Sequence, residues 1–289
     1  MLHKIMINHE TPFCMMKEMQ NLTDYDYALV HLFKDNPDYK KYFEDALKAG
    51  RKVLLDNSVF ELDKPFDPDA FVEAINDLGP TWYVVPDFLD DSKRTIESMA
   101  QWIRTYLPKV KTNSKIIGSI QGATWEEMLE CYKFMSRVPE VSKIAITFNS
   151  LAYSDMCPDI LGDEEPSFAP TQRNLQIWLE GRPRFISKLV AEGYWNKDKP
   201  HHLLGCGLMR EFANPIYHRI SVESLDTSNP VIYGLNEKLY DPNLGNTEKP
   251  SMKLCDHLND ELTDAQKDCI RTNVGIFKTI ANGFSEDAI

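Results

Sequence analysis

Residues 52–87 read KVLLDNSVFELDKPFDPDAFVEAINDLGPTWYVVPD, and the order of elements within that stretch decides the fold class. Lys52-Val53-Leu54-Leu55 is a short apolar run of strand type, and Trp82-Tyr83-Val84-Val85 is a second. Between them Pro68 to Leu78 has helical patterning, with Asp67 as cap, Pro68 in the first turn and Gly79 as the stop behind it. The sequence therefore runs strand, helix, strand. A polar group follows each strand: Asp56-Asn57-Ser58 after the first, Asp87 after Val84-Val85-Pro86.

The same rhythm extends in both directions. Upstream, Ala28 to Phe33 is expected as a strand and Tyr39 to Ala49 as a helix that Gly50 ends. Downstream come a helix over Ser92–Tyr106, a strand over Lys115–Ile120, a helix from a Thr124 cap to about Met135, and a strand over Lys143–Ile146. Residues 147–170 break the pattern with three prolines and the acidic run Asp163-Glu164-Glu165, and read as a loop or insertion. A helix over Thr171–Glu192 follows, then strands over His202–Leu204 and Arg219–Val222. The 255–289 segment is expected to be helical, with Ala265, Cys269, Ile270, Val274, Phe277 and Ile280 recurring at helical spacing. Strand followed by helix, many times over, implies a parallel sheet with helices outside it. Residues 1–289 are accordingly expected to form a single-domain α/β protein, a (β/α)8 TIM-type barrel with insertions. An open doubly wound sheet is the alternative.

Composition excludes several classes. The 289 residues are 43% hydrophobic and 26% charged, an ordinary globular balance that rules out a disordered or low-complexity chain. No apolar run approaches the roughly 20 residues of a membrane span. The start Met1-Leu2-His3-Lys4-Ile5 lacks signal-peptide character. The cysteines at 14, 131, 157, 206, 255 and 269 form no CxxC pair, which reads as reduced thiols and a cytoplasmic location. The net charge of −12 argues against indiscriminate binding of polyanions. Between Ser167 and Arg219, however, eight basic residues stand against four acidic ones, with His201, His202 and His218 in the same stretch. That excess is either a local basic face or unevenly solvated surface.

In a barrel of this type the chemistry gathers where the strands end at their C-termini. Four apolar runs end on polar groups: Asp56-Asn57-Ser58, Asp87, Gln121-Gly122 and Asp226-Thr227-Ser228. Any one Asp in such a position serves equally well as a helix cap or turn former, and Asp90 reads as a loop or cap residue. Three carboxylates and an amide at four strand ends are harder to assign to capping, because like charges gathered on one cavity are costly without a compensating function.

These motifs resemble those of the tRNA-guanine transglycosylases. Leu55-Asp56-Asn57-Ser58-Val59-Phe60-Glu61 is similar to the family's Asp-Ser-Gly-Gly-Phe-Gln signature, and Ile120-Gln121-Gly122 to its Gln-Gly strand end. His202-Leu203-Leu204-Gly205-Cys206-Gly207 resembles its Leu-Gly-x-Gly segment, and Ser224-Leu225-Asp226-Thr227-Ser228 sits where the family keeps a nucleophilic Asp. The four occur in family order from Asp56 to Asp226. Two features depart from the pattern. The family's Cys-x-Cys-x-x-Cys plus His zinc site is not reproduced, leaving Cys255, His257 and Cys269 as the weak metal candidates, so no cofactor is expected. The glycine-rich edge of the base pocket reads Ile144-Ala145-Ile146-Thr147-Phe148-Asn149 instead. A compact, zinc-poor chain of this kind most resembles the phage and bacterial enzymes that insert 7-deazaguanines into DNA.

The chemistry implied is exchange of guanine for a 7-deazaguanine through a covalent glycosyl-enzyme. Asp226 is the expected nucleophile and Asp56 the expected general acid and base. Asp87 suits the N1–H and amino edge of a guanine, Gln121 would donate to its O6, and Gly122 would let the backbone approach the base. Ser58, Gly205 and Phe88 complete the expected substrate-binding set, with Phe60 and Phe148 as further aromatics read as core packing. The target nucleotide must be flipped out of its stack to react. Arg182, Arg184, Lys188 and Arg210 are the expected phosphate contacts. DNA is the expected partner with tRNA as the alternative; a membrane is not expected, and a homodimer is left open. A barrel glycoside hydrolase and a non-catalytic nucleic-acid-binding subunit are the competing readings.

Overall fold

A computed structural model of the chain describes residues 4–282 apart from 170, 221, 247, 249 and 251; the His218 side chain and the last seven positions of the expected C-terminal helical segment lie outside the described residues. Among the described residues there are eight strands: β1 Met6–Asn8, β2 Asp26–Leu29, β3 Val53–Asp56, β4 Trp82–Val84, β5 Lys115–Ile120, β6 Val141–Thr147, β7 His201–Leu204 and β8 Val222–Asp226. They follow the order β1-β8-β7-β6-β5-β4-β3-β2. The β1–β8, β2–β3, β3–β4, β4–β5, β5–β6 and β7–β8 pairings are parallel. With helices in the connections, this is the α/β (β/α)8 TIM-type barrel. No helix is long and apolar enough to cross a membrane among the described residues.

The chain divides into two compact units. The first comprises Met1–Asp24, Tyr153–Trp195 and His201–Ile289 and contains β1, β7 and β8; the second comprises Tyr25–Ala152 with Asn196–Pro200 and contains β2 to β6.

In the second unit β3 is buried at every position, as a parallel strand covered on both faces must be. Helices Pro37–Lys48, Pro68–Leu78, Ser92–Gln101 and Trp125–Arg137 cover the strands. Their boundaries follow from local chemistry. Asp67 accepts the Ala70 N–H at 2.9 Å, and Thr124 accepts that of Glu127 at 3.3 Å. Gly79 ends the Pro68–Leu78 helix at φ +64°, a conformation that costs a glycine little. Phe71, Tyr83 and Trp102 form a buried ring cluster, and the Trp102 indole donates to the Tyr83 hydroxyl. The Ser92–Tyr106 expectation holds as an α-helix to Gln101 that continues as a π-helical turn over Trp102–Tyr106.

In the first unit, helices Gln172–Ala191 and Asp264–Ala281 carry apolar faces through Phe185, Ile186 and Leu189, and through Ile270, Val274 and Phe277. Thr263 and Gln266 close a reciprocal capping box at the start of the second.

Three sequence expectations shift. The Ala28–Phe33 strand is displaced to Asp26–Leu29, where β2 ends opposite Asp56, and Val30–Leu32 turns as a 3-10 segment. The expected strand over Arg219–Val222 is displaced too: Ile216–Arg219 is a helical turn that Pro215 and the Asn214 side chain start, and β8 begins at Val222. The 147–170 segment begins as the last residue of β6 and carries two short helices, Tyr153–Met156 and Pro158–Leu161.

Candidate active site

The second unit brings together the groups that follow β3, β4, β5 and β6. Asp56 is the last residue of β3 and only 7% exposed. Its carboxyl accepts the Ser58 N–H at 2.6 Å, a bond made by the left-handed turn of Ser58 at φ +61°. Burial, then the charges of Glu61 and Asp87, push the Asp56 carboxyl well above the usual carboxylate value. Such a group holds a proton that a surface aspartate has already lost.

Asp87 lies beside it with an amide donor on each oxygen. Asn57 Nδ2 donates to Oδ1 at 2.9 Å and Gln121 Nε2 to Oδ2 at 2.7 Å. Burial raises the Asp87 carboxyl, against the pull of those two bonds and one from Ser119. Each carboxylate oxygen has two acceptor directions. With Asn57, Gln121 and Ser119 donating, at most one of those directions remains for a further donor. Asn57 is itself fixed by donation to the Val85 carbonyl and acceptance from the Val59 N–H. Gln121 Oε1 accepts the Asp90 N–H at 3.2 Å. Asp90 in turn accepts from the Ser150 hydroxyl and the Leu151 N–H, both at 3.1 Å, so its carboxyl anchors the loop after β6.

A second cluster belongs to the first unit. Asp226 ends β8 and is 4% exposed. The fully buried His202 of β7 bridges two residues of that strand: Nε2 lies 2.9 Å from Asp226 Oδ1, and Nδ1 2.9 Å from Ser224 Oγ. Asn8 is in register with Asp226 on β1. His9 follows it, with Nδ1 at 3.2 Å from the Thr227 carbonyl and its ring edge-on to Phe277. Burial lowers His9 to about 3, so it is neutral, and among the described residues its Nε2 has no hydrogen-bond partner.

Several expected site residues are committed elsewhere. Arg182 is not a phosphate contact. Its guanidinium is 0% exposed, pairs with Glu211 at 2.7 Å, and donates to the Leu204 and Gly205 carbonyls. The expected Gly205 contact is thereby drawn partly into this internal network. Arg184 pairs with Asp159 and Glu180, whereas Lys188 is half-buried and Arg210 exposed. Gly122 has a packing reason: a Cβ there would lie 2.6 Å from the Met128 nitrogen. Gln121 is not a free donor, since its amide is engaged with Asp87. Ser58 turns its oxygen toward the His31 N–H at 3.5 Å. Phe88 lies under the Arg94 guanidinium at 3.8 Å, while Phe60, 43% exposed, meets the buried Phe148 edge-on at 6.4 Å.

Among the described residues no three His, Cys, Asp or Glu side chains gather as a metal site. His257 pairs with Asp260 and Cys255 lies against Asp256; Cys269 is half-buried. Cysteine nucleophiles are disfavoured at Cys131 and Cys157, whose thiols burial pushes up to about 12. No family model matches the chain, and no curated protein matches its sequence. The residues that the motif reading passed over are Asn57, Ser119, Ser150, His202 and Ser224. Asn57, His202 and Ser224 stood inside quoted motifs, but only the folded chain shows that Asn57 and His202 hold the carboxylates and that Ser224 holds His202.

Proposed function

We propose that this chain is a transglycosylase that exchanges guanine in a nucleic acid, DNA in preference to tRNA, for a 7-deazaguanine base. The observation that carries the reading is the Asp87 clamp: a buried carboxylate with one amide donor on each oxygen, next to a carboxyl that burial pushes well above the usual carboxylate range. A guanine edge presents N1–H and the amino group as donors, and a buried carboxylate fixed by two amides is an acceptor for that edge.

In this reading an Asp226 oxygen attacks C1′ of the flipped nucleotide. The C1′–N9 bond breaks, its electron pair leaves with the purine, and Asp56 supplies the proton that the departing base takes up. The incoming 7-deazaguanine then gives its N9 proton to Asp56, and N9 displaces Asp226 from C1′. Asp56 ends as it began. A carboxyl that burial pushes well above the usual carboxylate range suits the first half of that cycle. The order of the resembling motifs, with Asp56 and Asp226 each the last residue of its strand, supports the same assignment. Phosphate contacts are assigned to Arg210 and Lys188, which retain exposed surface, and no longer to Arg182.

Incubation with radiolabelled guanine and duplex DNA, single-stranded DNA or tRNA tests this. Label should enter DNA and fail to enter with Asp226→Asn. Uptake that persists in the variant, or release of free base without uptake, would exclude exchange through Asp226, the second outcome pointing to a glycoside hydrolase.

A further inference from the structure

Register on the β7–β8 ladder sets His202 opposite Ser224. Successive strand residues alternate faces, so Ser224 and Asp226, two apart on β8, project to the same side. The His202 ring lies across both. Each ring nitrogen has a side-chain partner at 2.9 Å, Ser224 Oγ on Nδ1 and Asp226 Oδ1 on Nε2. All three residues are at most 4% exposed. Asp226 Oδ2 has no hydrogen bond among the described residues.

We propose that His202 is the positioning residue of the Asp226 carboxylate, held as its Nε2–H tautomer by the Ser224 hydroxyl so that one oxygen of Asp226 is tied and the other is free to attack. The assignment of an attack to Asp226 rests on the transglycosylase reading; the hydrogen-bonded relay stands on geometry alone. A neutral imidazole has one donor and one acceptor nitrogen. Asp226 as a carboxylate can only accept, which requires the proton on Nε2. Nδ1 then accepts from Ser224. Second-layer hydrogen bonds of this kind fix ring orientation and tautomer wherever histidine supports a reacting group. The bond has two effects on the reaction. It limits rotation of the carboxylate, so the attacking oxygen is placed before substrate arrives. It also stabilises the carboxylate charge that reappears when the incoming base displaces Asp226. The sequence Ser224–His202–Asp226 superficially matches a hydrolytic triad, but Ser224 is 2% exposed and sits behind the imidazole as its acceptor-side partner.

Two measurements test the proposal. The first is nitrogen NMR of the protein with labelled histidine, assigned with His202→Gln. His202 should show a protonated Nε2 and an unprotonated Nδ1 in the wild type, and Ser224→Ala should disturb that tautomer. A protonated Nδ1 would overturn the proposal whatever the protein's activity. The second is steady-state base exchange. His202→Ala should lose about 10- to 100-fold in kcat with KM little changed, as expected for loss of one hydrogen bond to a charged group. His202→Gln, whose amide can donate to the same oxygen, should recover part of the loss, and Ser224→Ala should lose less. Equal activity in wild type and His202→Ala overturns the proposal, as does a loss expressed in KM alone. Absence of exchange in the wild type with the Nε2–H tautomer intact overturns the transglycosylase reading, and with it the attack assigned to Asp226, while leaving the relay in place.

Discussion

Burial raises the proton affinity of Asp56, and that has a cost that can be measured apart from catalysis. Its carboxyl is raised by desolvation first, with Glu61 and Asp87 adding to it. Below the unfolded value of about 4 both states carry the proton. As the pH rises the unfolded chain releases its proton first, so stability falls across the interval up to the raised folded value. Asp56→Asn keeps an oxygen for the Ser58 N–H and removes the titration. Urea unfolding should therefore find the variant more stable than wild type at pH 8, by about 1.4 kcal/mol for each pH unit of the shift. The advantage should vanish near pH 4, and base exchange should be lost throughout. An equal effect of the substitution at both pH values would mean that Asp56 is ionised in the folded protein. At this scale the sequence was informative about which carboxylates end strands. It was silent on their holders, because Asn57 and His202 act through neighbours that are 30 and 24 positions away.

Among elements, the Gln172–Ala191 helix shows how a motif residue can be read for the wrong purpose. Counting placed Arg182 on a basic face, yet Gly181, Arg182 and Pro183 are all buried. A Cβ on Gly181 would meet the Tyr153 side chain at 2.3 Å, so the helix seats its glycine side against the Tyr153–Met156 turn. Arg182 then reaches the Leu204 and Gly205 carbonyls at the end of β7 and the Glu211 carboxylate, which also accepts from Tyr217. A buried pair of this kind is destabilising to break from one side. Arg182→Ala should lower unfolding free energy by about 3 to 5 kcal/mol, with the salt dependence of nucleic-acid binding by the folded fraction unchanged. Arg210→Gln should leave stability within about 0.5 kcal/mol and reduce the slope of log K against log salt by about one. A reversed pattern would return Arg182 to the phosphate contacts. Helix ends were legible because caps are local: Asp67 and Thr124 perform as their spacing implied. The start of β8 was not, since β-branched Ile220 carries strand propensity while the Pro215 turn ahead of it fixes a helical segment through Arg219.

At the scale of the whole molecule, the alternation of strand and helix was sufficient for the (β/α)8 class, because each βαβ step is set by patterning within about thirty residues. The three-residue β1 escaped because Met6-Ile7-Asn8 is too short to alternate visibly. The proposed function depends on more distant relations, above all on a bond from Asp226 to the sugar. The most direct measurement is a denaturing quench of the protein with guanine-containing DNA, followed by peptide mass analysis of the protein–nucleic acid adduct. The expected result is an adduct on the peptide bearing Asp226, located on that residue and absent from Asp226→Asn. Ongoing base exchange with no adduct, or an adduct on Ser224 or another residue, would contradict it.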